Sequence, residues 1–285
     1  MAQQSQPSNY TQGYSDHTIA THLLRTVDTD AAFLLPHVKK TDHILDVGCG
    51  PGTITIGLAK YASDGRTVGL DISTDVLKKA KALVADAQMP TEGTGSIAFT
   101  HGNVLEGLPF PDDTFDIVYC SQLFGHIPPP DLPEHALSEM RRVLKIGGIL
   151  ASRDGMDQHF YPRGLDVDRL WVQNQQRALL KGKPPDADNM GGRMPALYRS
   201  VGFDADGGKV QVGAGTKVFS GSEARKWLAM RGIGQLQPGD PFHQSWLEAG
   251  ITEDEIKQTI CAVERWAETD DAWYASLQCE ILAWK

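Results

Sequence analysis

Cysteine is scarce in this chain: Cys49, Cys120, Cys261 and Cys279 are the four among 285 residues, and no two form a Cys-x-x-Cys pair. That spacing argues against a zinc site or a dithiol redox motif, so no metal is expected and the four read as free thiols of a reducing, cytoplasmic compartment. Long apolar runs are also missing. None approaches the roughly 20 residues needed to span a bilayer, which excludes a membrane partner. Positive charge is in deficit, with a formal net charge of −9. An acidic balance repels phosphate backbones and makes nucleic acid an unsuitable partner. Met1–Thr11 lacks both the charged and the apolar segment of a secretory signal, and residues 1–15 are expected to be a flexible lead-in. No internal repeat is found.

What is there is an alternating pattern in a chain that is 41% hydrophobic, enough for one large domain with a buried core. His43–Val47 is a short apolar run stopping at Gly48 and reads as a buried strand, with a helix from Ile54 to Tyr61. Thr67–Asp71 is a second strand, and Ser73 is placed to cap a helix from Thr74 to Ala87. Ser96–His101, Phe115–Cys120 and Ile149–Arg153 give three more strands. The helix Leu132–Leu144 precedes the last of these, and its basic end complements the helix dipole. Strands and helices alternating at this spacing predict an α/β fold, a Rossmann-like doubly wound sheet. Residues 16–154 are expected to form its core. The pattern then changes: residues 155–195 read as an inserted helical lid over a substrate, and 196–285 as completion of the sheet with inserted helices. The last segment includes strands at Lys209–Phe219 and Ala275–Trp284 and helices at Ser222–Met230 and Glu253–Glu268.

The chemistry-bearing motif is Asp46-Val47-Gly48-Cys49-Gly50-Pro51-Gly52, lying between a strand and a helix. Gly48 and Gly50 allow a sharp turn and let the backbone approach a ligand, while the helix start presents free N–H groups. Asp71 ends the next strand 71 − 50 = 21 residues later, where an acid can accept hydrogen bonds from both ribose hydroxyls. A dinucleotide fingerprint starting at Gly48 would place its third glycine at position 53, which is Thr53. Asp46 moreover puts a carboxylate where a pyrophosphate would be repelled and an ammonium group welcomed. The motif therefore favours S-adenosylmethionine, which carries an amino group, a sulfonium and a ribose, over a nicotinamide dinucleotide. After the third strand, Gly102-Asn103-Val104 could receive the adenine amino group on the Asn103 side-chain oxygen, or be an ordinary turn. Ile72, Ser121 and Gln122 sit at strand ends facing the same crevice. Cys49 reads as a small packed residue of the cofactor turn rather than as a nucleophile. Upstream, Tyr14 could fold over the cofactor and Arg25 could pair with its carboxylate, although a solvated helix face fits Arg25 equally well.

These motifs resemble class I S-adenosylmethionine-dependent methyltransferases of the ubiquinone-biosynthesis-like group, from about Asn9 to Asp154. The resemblance assigns the glycine motif to Asp46–Gly52, the ribose acid to Asp71 and the adenine turn to Gly102–Val104, where Asn103 replaces the usual acid. A closer similarity is to the fungal dithiol bis-thiomethyltransferases of the gliotoxin type. It is carried by Asn9–Gly13, Ala31–Pro36, Ser121–His126 with its three following prolines, and Arg153–Met156. It implies bis-S-methylation of a small reduced epidithiodioxopiperazine of secondary metabolism. The alternatives kept open are O- or C-methylation of another metabolite, and a S-adenosylmethionine-binding protein without turnover.

A thiol has a pKa near 8.5, so a strong base is optional for S-methylation and more needed for an alcohol. His126, His159 and Tyr161 are candidate catalytic groups. Asp154, His159, Tyr161, Arg163 and Trp171 are candidate substrate contacts, since aromatic groups suit a diketopiperazine or indole-like ring. The same histidines and aromatics are also compatible with purely structural packing.

Overall fold

The computed structural model describes residues 16–128, 130–179 and 189–285; the expected lead-in, with Tyr14, lies outside them. Seven strands form one sheet: β1 (His43–Val47), β2 (Arg66–Asp71), β3 (Ser96–His101), β4 (Phe115–Ser121), β5 (Leu144–Tyr161), β6 (Val210–Phe219) and β7 (Trp273–Trp284). Their order is β3-β2-β1-β4-β5-β7-β6. The first five are parallel, and β7 runs antiparallel to both β5 and β6. This is the doubly wound, Rossmann-like sheet that the sequence predicts. Strand order reverses between β1 and β4, which opens a crevice at their carboxyl ends.

Ten helices accompany the sheet among the described residues: α1 (Asp16–Leu23), α2 (Val27–Asp30), α3 (Thr53–Tyr61), α4 (Thr74–Asp86), α5 (Leu132–Val143), α6 (Asn174–Leu179), α7 (Met190–Ser200), α8 (Ser222–Gln235), α9 (Pro241–Glu248) and α10 (Glu253–Glu268). β1, β2 and β4 are buried almost end to end because helices cover both faces, so they read as continuous apolar runs. Leu45, Val47, Leu70 and Val118 pack with Met140 of α5 and with Met194 and Tyr198 of α7. On the opposite face Ile44, Ile117 and Tyr119 pack with Val27, Ile54 and Leu58. Helix boundaries follow local chemistry. Ser73 Oγ accepts the Val76 N–H. At α10, Thr252 Oγ1 accepts the Glu255 N–H at 3.2 Å while Glu255 returns a carboxylate oxygen to the Thr252 N–H at 2.8 Å, a capping box.

The expected core–lid boundary at residue 154 is corrected. β5 continues to Tyr161, paired with β7 as far as Tyr161–Trp273, so the first residues of the expected lid are sheet. A register shift between Gly155 and Gln158, in a glycine-containing polar stretch, hides the strand periodicity there. The helical layer draws on more than residues 155–195. Trp171 in the π-helical stretch Asp168–Gln173 packs with Phe242 and Trp246 of α9 and with Val263 and Trp266 of α10, a second hydrophobic cluster that rests on Phe160 of β5.

Candidate functional site

The crevice at the β1–β4 reversal holds a cavity of about 200 Å³. Its wall starts where β1 stops. The backbone turns through Gly48 (φ +73°), Gly50 (φ +56°) and Gly52 (φ +82°), all left-handed conformations that side chains resist. The N–H groups of Gly48 and Cys49 both donate to the Leu70 carbonyl, which ties the turn to β2. A Cβ on Gly48 would stand 3.0 Å from Leu123 Cδ1, and one on Gly52 would stand 2.8 Å from the Phe99 ring.

Two carboxylates face this cavity. Asp71, at the end of β2, accepts the Gly50 N–H and the Ser73 N–H, each at 2.9 Å. Burial raises its pKa, and those backbone donors oppose the rise. Each oxygen keeps a further lone pair for a ligand hydroxyl. Asp46, on β1, is 2% exposed and accepts the Thr55 hydroxyl at 2.6 Å. Burial pushes its pKa up to about 7, against the pull of Thr55, and nearby Asp71 adds to the rise. A buried carboxylate so raised gains most from a cationic group placed beside it.

Cys49, Ile72, Gly102, Val104 and Ser121 line the same cavity, as do Arg25 and Gln122. Burial raises the Cys49 thiol well above its ordinary pKa, which suits packing and not nucleophilic attack. Asn103 also lines the cavity. Its side-chain oxygen accepts the Leu105 N–H at 3.0 Å and its amide donates to Glu106. It caps the short helix Val104–Glu106, and only its remaining lone pair is left for an adenine amino group. His22 lines the cavity too, and the sequence reading missed it. Burial, and then the charges of Arg25 and Arg231, drive its pKa down to about 2, so it is a neutral imidazole.

A second cavity, of about 260 Å³, adjoins the first and shares Arg25, Gln122, His126 and Ile127 with it. It lies over the carboxyl ends of β5 and the adjoining parts of β6 and β7. Gln122, in a left-handed conformation just after β4 (φ +55°), donates from its side-chain amide to Gln278 of β7. Gln158 donates to Gln175, and Tyr274 Oη donates to Gln158 Oε1 at 2.9 Å. All five side chains line this cavity. His126 is half-buried between the two cavities; burial and the charge of Arg25 lower its pKa to about 4. Asp154 also lines the cavity and accepts the Phe124 N–H at 3.1 Å. Burial raises its pKa to about 7, opposed by the backbone N–H groups of Leu123–Gly125.

Of the expected substrate contacts, only Asp154 reaches this cavity. His159 and Tyr161 alternate with Gln158 and Phe160 along β5 and point to the other face of the sheet. There His159 Nδ1 meets Asp168 at 3.0 Å, Arg163 meets the same Asp168 oxygen at 2.9 Å, and Tyr161 stacks on Trp273. Trp171 is buried against Phe242 and Trp246. These four belong to packing and surface ion pairs. A signal for the missed residues existed: Lys217 is the one charged residue in the strand Val210–Phe219, and Ser276, Gln278 and Glu280 put polar groups at every second position in the centre of β7.

Among the described residues no cluster of three or more His, Cys, Asp or Glu is arranged to hold a metal ion, and no helix is long and apolar enough to cross a membrane.

The chain was compared with known proteins. Residues 44–148 match a methyltransferase domain family. The probable methyltransferase ltbC of Aspergillus luteorubrus is 61% identical over 285 residues, covering 100% of both chains. An uncharacterized methyltransferase of Schizosaccharomyces pombe is 36% identical over 225 residues, 77% of each chain. Among solved structures, the YcgJ protein of Bacillus subtilis superposes with a TM-score of 0.55 at 17% identity, covering 93% of this chain and 99% of that one. A candidate methyltransferase of Bacillus halodurans gives a TM-score of 0.51 at 19% identity, over 89% of this chain and 98% of its own. At these identities the two structures speak for the fold.

Proposed function

Because the chain belongs to the S-adenosylmethionine-dependent methyltransferase family, we propose that it methylates both thiols of a small dithiol metabolite, a reduced epidithiodioxopiperazine, held in the second cavity. The observation that carries this reading is the carboxamide wall of that cavity. Gln122, Gln158, Gln175 and Gln278 converge on it as two hydrogen-bonded pairs, Gln122 with Gln278 and Gln158 with Gln175. Carboxamides offer both donors and acceptors, and a dioxopiperazine ring is built of two amides that need both. Gln122 belongs to both cavities and so stands at their junction.

The residues of the first cavity fit the cofactor. Asp46 faces the amino group, Asp71 the ribose hydroxyls, and the Gly48–Gly52 turn leaves room for the ligand at the strand end. Arg25 is suited to the carboxylate. When bound, the cofactor supplies a methyl group already activated by its sulfonium. The chain's part is to align the acceptor with that methyl and exclude water. His126, with a pKa near 4, is a weak base at neutral pH. A thiol tolerates this, because its own pKa lies close to neutrality; an alcohol does not. Capping both thiols would dispose of a reactive dithiol or limit disulfide formation.

The test is incubation of purified protein with methyl-labelled S-adenosylmethionine and either a reduced epidithiodioxopiperazine or a phenol. Label in a bis-thioether, with matching S-adenosylhomocysteine, is the expected result. Turnover of the phenol with no label in the dithiol would overturn the thiol assignment.

A further inference from the structure

A third, smaller recess of about 40 Å³ adjoins the second cavity and shares Gln158, Gln175, Leu228, Arg231 and Tyr274 with it. Three of these shared residues are bonded in a row: Gln158 donates to Gln175 and accepts the Tyr274 hydroxyl at 2.9 Å. The other described residues on its wall are Phe160, Trp171, Ala229, Gly232, Val263 and Trp266, all apolar or glycine. The Phe160 ring stands edge-on to Trp266 and to Tyr274, at centroid distances of 5.1 and 4.8 Å. The Trp266 N–H donates to the Tyr161 carbonyl at 3.0 Å, so its one polar group is already satisfied. Gly232 lets Trp171 close one side, since a Cβ there would stand 2.8 Å from the indole Cη2. The recess thus has a carboxamide mouth and an apolar end. Gln158 and Phe160 are successive residues on one face of β5, so a single strand repeat separates the two. Water is a poor occupant of the apolar end, because a buried water needs two to four polar partners. An alkyl group gains by leaving solvent for it. Volume limits that group. One water takes roughly 10–15 Å³ of such space and a benzene-binding cavity measures about 150 Å³. The recess therefore suits about three carbons and is too small for an aromatic ring.

We propose that this recess is a specificity subsite for the methyl acceptor, taking a short branched alkyl group carried next to an amide and rejecting an aryl group at the same position. This rests on the reading of the second cavity as the acceptor site, and it narrows the acceptor to a dioxopiperazine with a valine-type side chain. In such a ring the side-chain carbon is bonded directly to the amide, so the amide meets Gln158 and Gln175 at the mouth while the branch reaches Phe160, Trp171 and Trp266. Ala229, three residues before Gly232 on α8, has the smallest side chain on the wall and keeps that space open.

The experiment uses protein labelled with ¹⁵N at tryptophan and saturated with S-adenosylhomocysteine. Two pairs of probes are titrated by nuclear magnetic resonance: the dioxopiperazines cyclo(Gly-Val) and cyclo(Gly-Gly), and the simple amides isobutyramide and acetamide. In each pair the branched member is expected to bind about fivefold tighter or better, from burial of its extra carbons. It should also shift the indole N–H signals of Trp171 and Trp266, which Trp171→Phe and Trp266→Phe identify. Cyclo(Gly-Phe) should show no gain over cyclo(Gly-Gly). Ala229→Val should erase the gain of the branched probes, and Val263→Ala, which enlarges the recess instead of filling it, should let cyclo(Gly-Phe) gain. Equal affinity within both pairs, or a gain that leaves both indole signals in place, overturns the proposal. So does a gain for cyclo(Gly-Phe) on the wild type. If neither dioxopiperazine binds while isobutyramide still moves the two indole signals, the dioxopiperazine reading falls and the alkyl subsite stands.

Discussion

Asp71 reaches from the end of β2 to accept the Gly50 N–H at 2.9 Å, so one carboxylate both braces the glycine turn and faces the cavity. Removing it should cost twice. Asp71→Ala is expected to weaken S-adenosylhomocysteine binding by at least tenfold, since hydrogen bonds to a charged group are each worth about 1.5–3 kcal/mol. Titration calorimetry checks this, and unchanged affinity would remove Asp71 from the site. Asp71→Asn, which keeps one acceptor, should fall between.

Asp46 gives a pH signature. Its pKa in the ligand-free fold is about 7, raised by burial, so near pH 7 it is partly protonated. An ammonium group favours the carboxylate, and binding should therefore release a proton. Affinity should fall as pH drops below about 7, because a protonated Asp46 cannot pair with the ligand. Calorimetry at pH 7 in two buffers of different ionisation heat reads this release, which Asp46→Asn should abolish. The stability sign is the reverse of the usual carboxylate case. The folded state holds this proton above the unfolded pKa, so stability contributed by protonated Asp46 is lost as pH rises through about 4 to 7. Ligand-induced gains in Tm should correspondingly grow from pH 6 to pH 8.

The turn itself is intolerant of a side chain. Gly52→Ala must hold φ near +82° and put a methyl group 2.8 Å from the Phe99 ring. A loss of about 1–3 kcal/mol is expected from strain and overpacking together, measured by urea denaturation.

Arg153 sits between two carboxylates with only 3% of its side chain exposed. Arg153→Met leaves the buried Asp30 and the half-buried Glu280 without their guanidinium partner and should cost about 3–5 kcal/mol. Arg169→Ala, which breaks the exposed pair with Asp166, should leave the denaturation midpoint where it is.

Acceptor recognition separates the two faces of β5. Gln278→Leu should raise the acceptor KM several-fold while leaving the cofactor KM alone. His159→Ala and Tyr161→Phe, on the opposite face, should change neither. Loss of acceptor affinity in the latter pair would return them to the substrate site.

The difference in how well the two cavities could be read from sequence has a physical origin. The first is assembled from strand ends and the turns that follow them. A glycine run, an acid 21 residues on and a polar residue after the fourth strand report on it directly. Asn103 lines the cavity there and serves the backbone as well, as an Asn in a turn readily does. The second cavity draws on α1, β5, α6, α7, β6, α8 and β7, with β5 and β6 joined through the antiparallel β7, and no local spacing encodes that meeting. Aromatic and histidine content after residue 154 suggested a substrate lid. The period-2 geometry of a strand running to Tyr161 instead sends His159 and Tyr161 away from the cavity.

The placement of β7 has a consequence for assembly. It lies between β5 and β6 although both precede it in the chain, so β6 has no neighbour to join until β7 has inserted. Among the described residues, all that line the first cavity are contributed before residue 128, whereas the Tyr274–Gln278 wall of the second arrives with the final strand. On a chain emerging from its N-terminus, the methyl-donor pocket can therefore take shape while the chamber for the acceptor is still open on one side.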